Sequence, residues 1–238
     1  MPSKKSNQPV GNRLLAALPK KEYQQLLADS ETVPLTFGDI LFEPGENIRH
    51  VYFPNEGMIS LLSAVGEGEH VEVGIVGREG MAGLPVFMGV SKSRNRGLVQ
   101  GEGSALRMTA AALRKVLSNG HGSTLQKLLH RYTHSLLTQI SQSAACNRFH
   151  LVNSRLARWL LMTHDRIEGD QFRLTQEFLS LMLGVRREGV TLAAGALQKQ
   201  KLISYSRGQI KILDRAGLEA ASCKCYEVVK DEYDSFLA

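Results

Sequence analysis

The spacing of apolar residues changes several times along the chain, and each change marks a different kind of element. In residues 12–30, NRLLAALPKKEYQQLLADS, apolar positions recur at helical steps around a proline, which predicts one or two short helices. From 33 to 108 the chain breaks into short runs, VPLTF, ILFEPG, HVYFP, GMISLLSAV, HVEVGIV and SALRM, set between Gly, Pro and Asn residues. Thirteen of the 22 glycines fall there. Short strands with turn residues at that density predict a small antiparallel β-barrel.

Helical spacing returns at 109–117, TAAALRKVL, and stops at SNGHGS. A long helix is then predicted from about Ser123 to Arg148, with Leu125, Leu128, Leu129, Tyr132, Leu136 and Ile140 on one stripe. Such a stripe can lie on the chain's own barrel or against a second copy. Its narrowness over about seven turns favours a coiled-coil seam, and Leu125, Leu129, Tyr132, Leu136 and Ile140 are the expected homodimer interface. FHLVNSRLARWLLMTHDRI is a further amphipathic helix with Val152, Leu156, Trp159 and Leu160 on its apolar side. A polar turn and short strand follow in EGDQFRLT, then Thr175 at an N-cap position with Glu177 in the first turn. Gly184 ends that helix, and another runs to about Gln200.

Charge adds direction to this pattern. The net charge is +6, but residues 33–108 hold six Lys/Arg against nine Asp/Glu, whereas 149–215 hold eleven against six. A basic rear half implies that this half meets a polyanion. Two helices joined by a tight glycine turn form a helix-turn-helix, whose second helix, about 185–200, offers its N-terminal residues to the major groove of double-stranded DNA. Arg186, Arg187, Glu188 and Thr191 then stand at the groove, since Arg pairs with guanine and Glu accepts from the cytosine amino group. Val190, Ala194 and Leu197 face inward, with Ala193 and Gly195 allowing close packing. LISYSRGQIKIL reads as strand, turn at Arg207-Gly208 and strand, a wing that lays Ser206 and Arg207 on phosphate. Thr175, at the front of the first helix, completes the expected DNA contacts.

LTQEFLSLMLGVRREGV followed by LQKQKLISYSRGQIKIL resembles the winged helix-turn-helix of the Crp/Fnr regulators, while FGDILFEPGE and VYFPNEGMISLL resemble the opening strands of their cyclic-nucleotide-binding-type barrel. The resemblance spans roughly residues 12–215. It implies an α+β chain in four parts: a barrel at 12–122, a dimerisation helix at 123–148, a winged helix-turn-helix at 149–215 and a C-terminal tail at 216–238. It also implies a cytoplasmic transcription regulator, a homodimer on DNA, with RNA polymerase as a further partner. Glu188 matches the family's glutamate, but Arg186 stands where a Ser or Thr cap is common and Leu192 where an Arg is often found. Against the cyclic-nucleotide contacts of the family, Met81 takes the place of an acid, Asn95-Arg96 lies near the Arg-Ser position, and Ile140-Ser141 replaces a Thr-Ser pair. Glu79 is displaced by two residues. A cyclic phosphate needs a fixed cation and aimed donors, so cyclic AMP is not expected and the effector is left open.

Other chemistries find less support. No cysteine precedes Cys146, which argues against an iron-sulfur sensor, and a lone His70 is a weak haem ligand. Cys146 could sense oxidation, though free buried cysteines usually only pack. Cys223 and Cys225 form a C-x-C pair without the wider spacing and extra ligands of metal sites, so no metal or cofactor is expected. No nucleophile elbow, H-E-x-x-H or Walker loop is present, and no enzyme activity is expected. The remaining rival is a cyclic-nucleotide-binding-type adaptor without sequence-specific DNA binding, which the 184–190 helix front and the wing oppose. No run reaches the roughly 20 apolar residues of a membrane span and no signal peptide opens the chain.

Overall fold

A computed structural model of the chain describes residues 11–66, 69–119 and 123–236. The glycine break at 120–122 lies outside the described residues. Pro19 splits the first helical stretch as its pattern implies, capping α2 (Lys20–Ala28) after α1 (Arg13–Ala16).

Five strands follow: β1 (Ser30–Leu35), β2 (Ile40–Phe42), β3 (His50–Ala64), β4 (His70–Val76) and β5 (Asn95–Thr109). All pair antiparallel in the order β1-β5-β3-β4, with β2 also on β5. HVYFP and GMISLLSAV, separate runs in the sequence, are one long strand whose register shifts between Pro54 and Ile59. Those bulges bend β3 without ending its pairing. Among the described residues β1 and β4 do not pair, so the sheet curls as a roll and is not closed by a ring of hydrogen bonds.

A helix α3 (Ala110–Asn119) leads to α4 (Thr124–Phe149), which Ser123 caps through its side chain. The apolar stripe of α4 turns inward. Leu125, Leu129, Tyr132 and Leu136 are buried within the protomer, which corrects their assignment to a subunit seam; Ile140 is only partly covered. Gln139 locks α4 to β4 by accepting from the Ile75 amide at 2.6 Å and donating to its carbonyl at 3.2 Å. Gly80 permits the close approach, because a Cβ there would collide with the Tyr132 ring.

The stripe is also covered by residues 215–236, which are folded where a tail was expected. Residues 215–236 fold into α8 (Arg215–Ala221) and α9 (Cys225–Phe236), and α9 lies along α4. Tyr132 meets Tyr233 and Phe236 with ring centroids 6.5 and 6.1 Å apart, and Ser135 donates to Glu232 at 2.9 Å. Full burial of each large apolar side chain is worth about 1.5–3 kcal/mol, which a surface stripe would forgo.

Between α4 and α8 lies the reading unit: α5 (Val152–His164), β6 (Gln171–Arg173), α6 (Gln176–Leu183), α7 (Arg187–Lys199), β7 (Ile203–Ser206) and β8 (Gln209–Ile212). Helix α5 is buried on every side from Arg155 to Thr163, more than a single apolar face, because α7, α8 and α9 all pack on it. Two buried polar links tie this unit to the sheet. Arg166 pairs with Glu79 at 2.8 Å, and Trp159 donates to Glu72 at 2.7 Å.

Candidate nucleic-acid interface

Local chemistry builds the helix-turn-helix. Thr175 accepts from the Phe178 amide at 3.2 Å as the N-cap of α6, and Gly184 ends α6 in the left-handed region at φ 59°. Val190, Ala193, Ala194 and Leu197 then bury the inner side of α7 against α5 and α6. Gly195 is instead exposed, and a Cβ there would meet nothing within 4 Å, so its expected role in inner packing is corrected.

The outer side of α7 carries the residues singled out by sequence. Arg186 is the N-cap and makes no side-chain cap bond; Arg187, Glu188 and Thr191 follow, all exposed. Glu188 in the first turn suits the positive end of the helix dipole. Thr191 donates to the Arg187 carbonyl at 3.0 Å. Arg187 is held in an exposed ion pair with Glu177 at 2.9 Å. Such pairs are worth about 0–1 kcal/mol, less than the roughly 1–3 kcal/mol of a bidentate base contact, so DNA can take Arg187 from Glu177.

The wing is a three-stranded sheet, β6-β8-β7, one strand more than the hairpin pattern implied. Its two-residue turn sets Arg207 at φ 50° and Gly208 at φ 74°, the conformation of a tight hairpin with both central residues left-handed. Two bonds fix the wing: the Leu174 amide, just before the α6 cap, donates to the Gly208 carbonyl at 2.7 Å, and the Tyr205 amide donates to Gln198 of α7 at 2.5 Å. Thr175, Arg187, Ser206 and Arg207 consequently line one open cleft of about 490 Å³, together with Glu177 and Tyr205.

Sequence reasoning placed Leu192 where the family often has an Arg but gave it no contact of its own. It is 76% exposed on the same side of α7 as Glu188 and Gly195, where an apolar side chain can meet a thymine methyl. Its place, one helical turn beyond Glu188, was the available signal.

With this geometry in view, comparison with known proteins decides the family. Residues 33–119 match the profile of the cyclic nucleotide-binding domain and residues 154–221 that of the Crp-like helix-turn-helix domain. The chain belongs to the Crp/Fnr family. No protein of curated function matches it in sequence. Solved structures share the Crp/Fnr fold at low identity. CLP, the c-di-GMP-responsive global regulator of Xanthomonas campestris, is 16% identical over 82% of this chain and 99% of its own, with a TM-score of 0.65. FixK2 from Bradyrhizobium japonicum is 16% identical over 82% and 98%, at 0.67. A CRP-family transcriptional regulator from Thermus thermophilus is 17% identical over 80% and 96%, at 0.65. Crp/Fnr proteins are transcription regulators and not enzymes.

The sheet faces a mostly apolar cavity. Between the roll and α4 lies a cavity of about 160 Å³ whose walls include Phe42, Leu61, Met81, Leu84, Leu136 and Ile140, with Ser93, Asn95 and Thr133 as its polar members. Arg96 is engaged elsewhere, donating to Glu43 at 2.8 Å, and Glu79 is occupied by Arg166. Among the described residues no cation or carboxylate lines this cavity. Among the described residues no helix is long and apolar enough to cross a membrane.

Proposed function

We propose that the protein is a homodimeric, sequence-specific DNA-binding transcription regulator that sets α7 in the major groove. The outward row Arg186, Arg187, Glu188 and Thr191, beside a wing presenting Ser206 and Arg207, supports this reading. Glu188 and Arg187 read base edges, Thr175, Ser206 and Arg207 hold phosphate, and Leu192 adds an apolar contact. The protein acts in the cytoplasm, with RNA polymerase as a further partner. Its working parts are the roll at 12–122, the helix at 123–148 and the reading unit at 149–215, with α9 packed back on that helix and α8 on α5.

The dimer seam moves to the flank of the buried stripe on α4, keeping Ile140 at its edge. His130, Thr133, Leu137, Ile140, Ala144 and Asn147 alternate steps of three and four, and all are exposed except Thr133 and Ile140, which are partly covered. Leu137 is 55% exposed and also lines the apolar cavity, so a ligand there would touch the seam. The cavity suits a small apolar effector and offers a cyclic phosphate no cation, so cyclic AMP is not the effector.

Selection of bound fragments from random DNA should return a twofold-symmetric site with half-sites about 34 Å apart. Leu137→Lys should give a folded monomer by sedimentation and abolish binding to the paired site. Retention of the dimer by that variant would overturn the seam, and selection of no preferred sequence would overturn the regulator. Saturable micromolar binding of cyclic AMP by calorimetry would overturn the account of the cavity.

A further inference from the structure

The three cysteines of the chain and one histidine converge at a point that the DNA-reading mechanism does not use. Cys146 and His150 stand one turn apart at the end of α4, His150 being its C-cap. Cys223 and Cys225 flank the start of α9, and folding of α9 along α4 brings the two pairs together across 77 residues of chain. One ligand atom from each of the four lies within 4.8 Å of all the others. Cys146 Sγ is 3.4 Å from Cys223 Sγ, and His150 Nδ1 is 3.5 Å from Cys225 Sγ.

We propose that Cys146, His150, Cys223 and Cys225 form a tetrahedral structural zinc site. Bonds of about 2.3 Å to sulfur and about 2.0–2.1 Å to nitrogen place neighbouring ligand atoms of a tetrahedron about 3.5 Å apart for nitrogen and sulfur and about 3.8 Å apart for two sulfurs; the His150–Cys225 pair at 3.5 Å meets that spacing, and the Cys146–Cys223 pair at 3.4 Å needs to open by only a few tenths of an ångström. Three thiolates and an imidazole are a soft donor set that selects zinc over magnesium or calcium. So compact a group fits a single ion better than an iron-sulfur cluster, whose thiolates are held apart by the inorganic core.

The surroundings are built for a thiolate centre. All three cysteines are buried, and Gln142 Nε2 donates to Cys225 Sγ at 3.1 Å, the kind of outer bond that orients a ligand. Three thiolates leave a net charge of −1 on the zinc complex. The buried guanidinium groups of Arg155 and Arg158, on the neighbouring helix α5, lie in electrostatic range of the sulfurs and offset it.

The ion would clamp the end of the long helix to the chain just beyond the reading unit. It holds the start of α9, whose far end covers Tyr132, and so fixes how the reading unit sits on α4. The cysteine spacing alone gave no such indication, since C-x-C lacks two ligands and the other two lie on a distant helix.

Full-length protein purified anaerobically with reductant should contain about one zinc per chain. Exchange for Co2+ should give the intense visible bands and near-ultraviolet thiolate charge transfer of a tetrahedral sulfur-rich site. Thiol titration should find the cysteines slow to react until a chelator is added, and the chelated protein should melt at a lower temperature. His150→Ala removes an exposed ligand without opening the core and should weaken zinc binding more than Gln142→Ala, for which a loss of about 10–100-fold is expected. Folded protein that takes up neither ion at micromolar concentration would overturn the site, as would Co2+ bound without tetrahedral bands. A Cys146–Cys223 disulfide in the anaerobically prepared protein would equally overturn it and leave an oxidation couple in its place.

Discussion

The sheet and the reading unit use charged residues in opposite ways. On the sheet side, Glu79 is closed in an ion pair with Arg166, Arg96 is taken by Glu43, and Glu72 is buried between Ser60 and Trp159. On the reading side, Arg186, Glu188 and Arg207 stand exposed without ion-pair partners among the described residues, and Arg187 has only a surface partner. A charge whose desolvation is already balanced inside the protein is committed to the fold. A charge left in water is available to a ligand, which is why the polyanion partner is proposed for α7 and the wing and the sheet cavity is left apolar.

The comparison breaks most visibly at Arg166. It is buried, pairs with Glu79 and also bonds the Met162 carbonyl at 2.7 Å. Arg166→Ala leaves a carboxylate buried without its cation and should cost about 3–5 kcal/mol of stability, read by urea unfolding. An equal change in reading-unit stability and sheet stability would show that the pair joins the two; loss confined to one would show that it does not.

Glu72 gives the next largest effect. Burial pushes its carboxyl up to about 7, above the ordinary value of 4.5, although hydrogen bonds from Ser60 and Trp159 pull the other way. The folded chain therefore holds this proton more tightly than the unfolded chain. Stability is unaffected by Glu72 below about pH 4.5 and falls as pH rises toward 7, by on the order of 3 kcal/mol in total. Glu72→Gln should flatten unfolding free energy across that window, and a slope unchanged by the substitution would place the titration elsewhere.

On the reading side, substitutions should leave stability within about 0.5 kcal/mol and act on DNA. Glu188→Ala should cost about 1–3 kcal/mol on the preferred site and relax preference at one base pair. Arg207→Ala should weaken all sequences alike and lower the salt slope by roughly one, the smallest effect. Band-shift titrations across salt distinguish the two, and a sequence-specific loss from Arg207→Ala would remove it from the phosphate contacts.

Much of the reading unit was legible because its signals are short. The Thr175 cap, the Gly184 stop, the inward Val190, Ala194 and Leu197 and the Arg207-Gly208 turn each depend on residues a few positions apart, and all stand as the pattern implied. Gly195 was misplaced because a small residue in a helix is compatible with either a close contact or an open face. The sheet was legible in its strands and turns but not in its closure, since HVYFP and GMISLLSAV do not reveal from their own residues that a bulge joins them.

By itself the sequence determined the kinds of elements, their order and the outward charges of α7, because helical and strand periodicity, caps and turns are local. Only the tertiary structure decided what covers each apolar face and which distant side chains meet. The stripe Leu125, Leu129, Tyr132 and Leu136 was visible, yet its cover by α9 and the sheet was not. Cys146 and His150 likewise reach Cys223 and Cys225 only when α9 folds back. Periodicity specifies that a face will leave water, whereas the choice of partner depends on contacts between segments far apart in the chain.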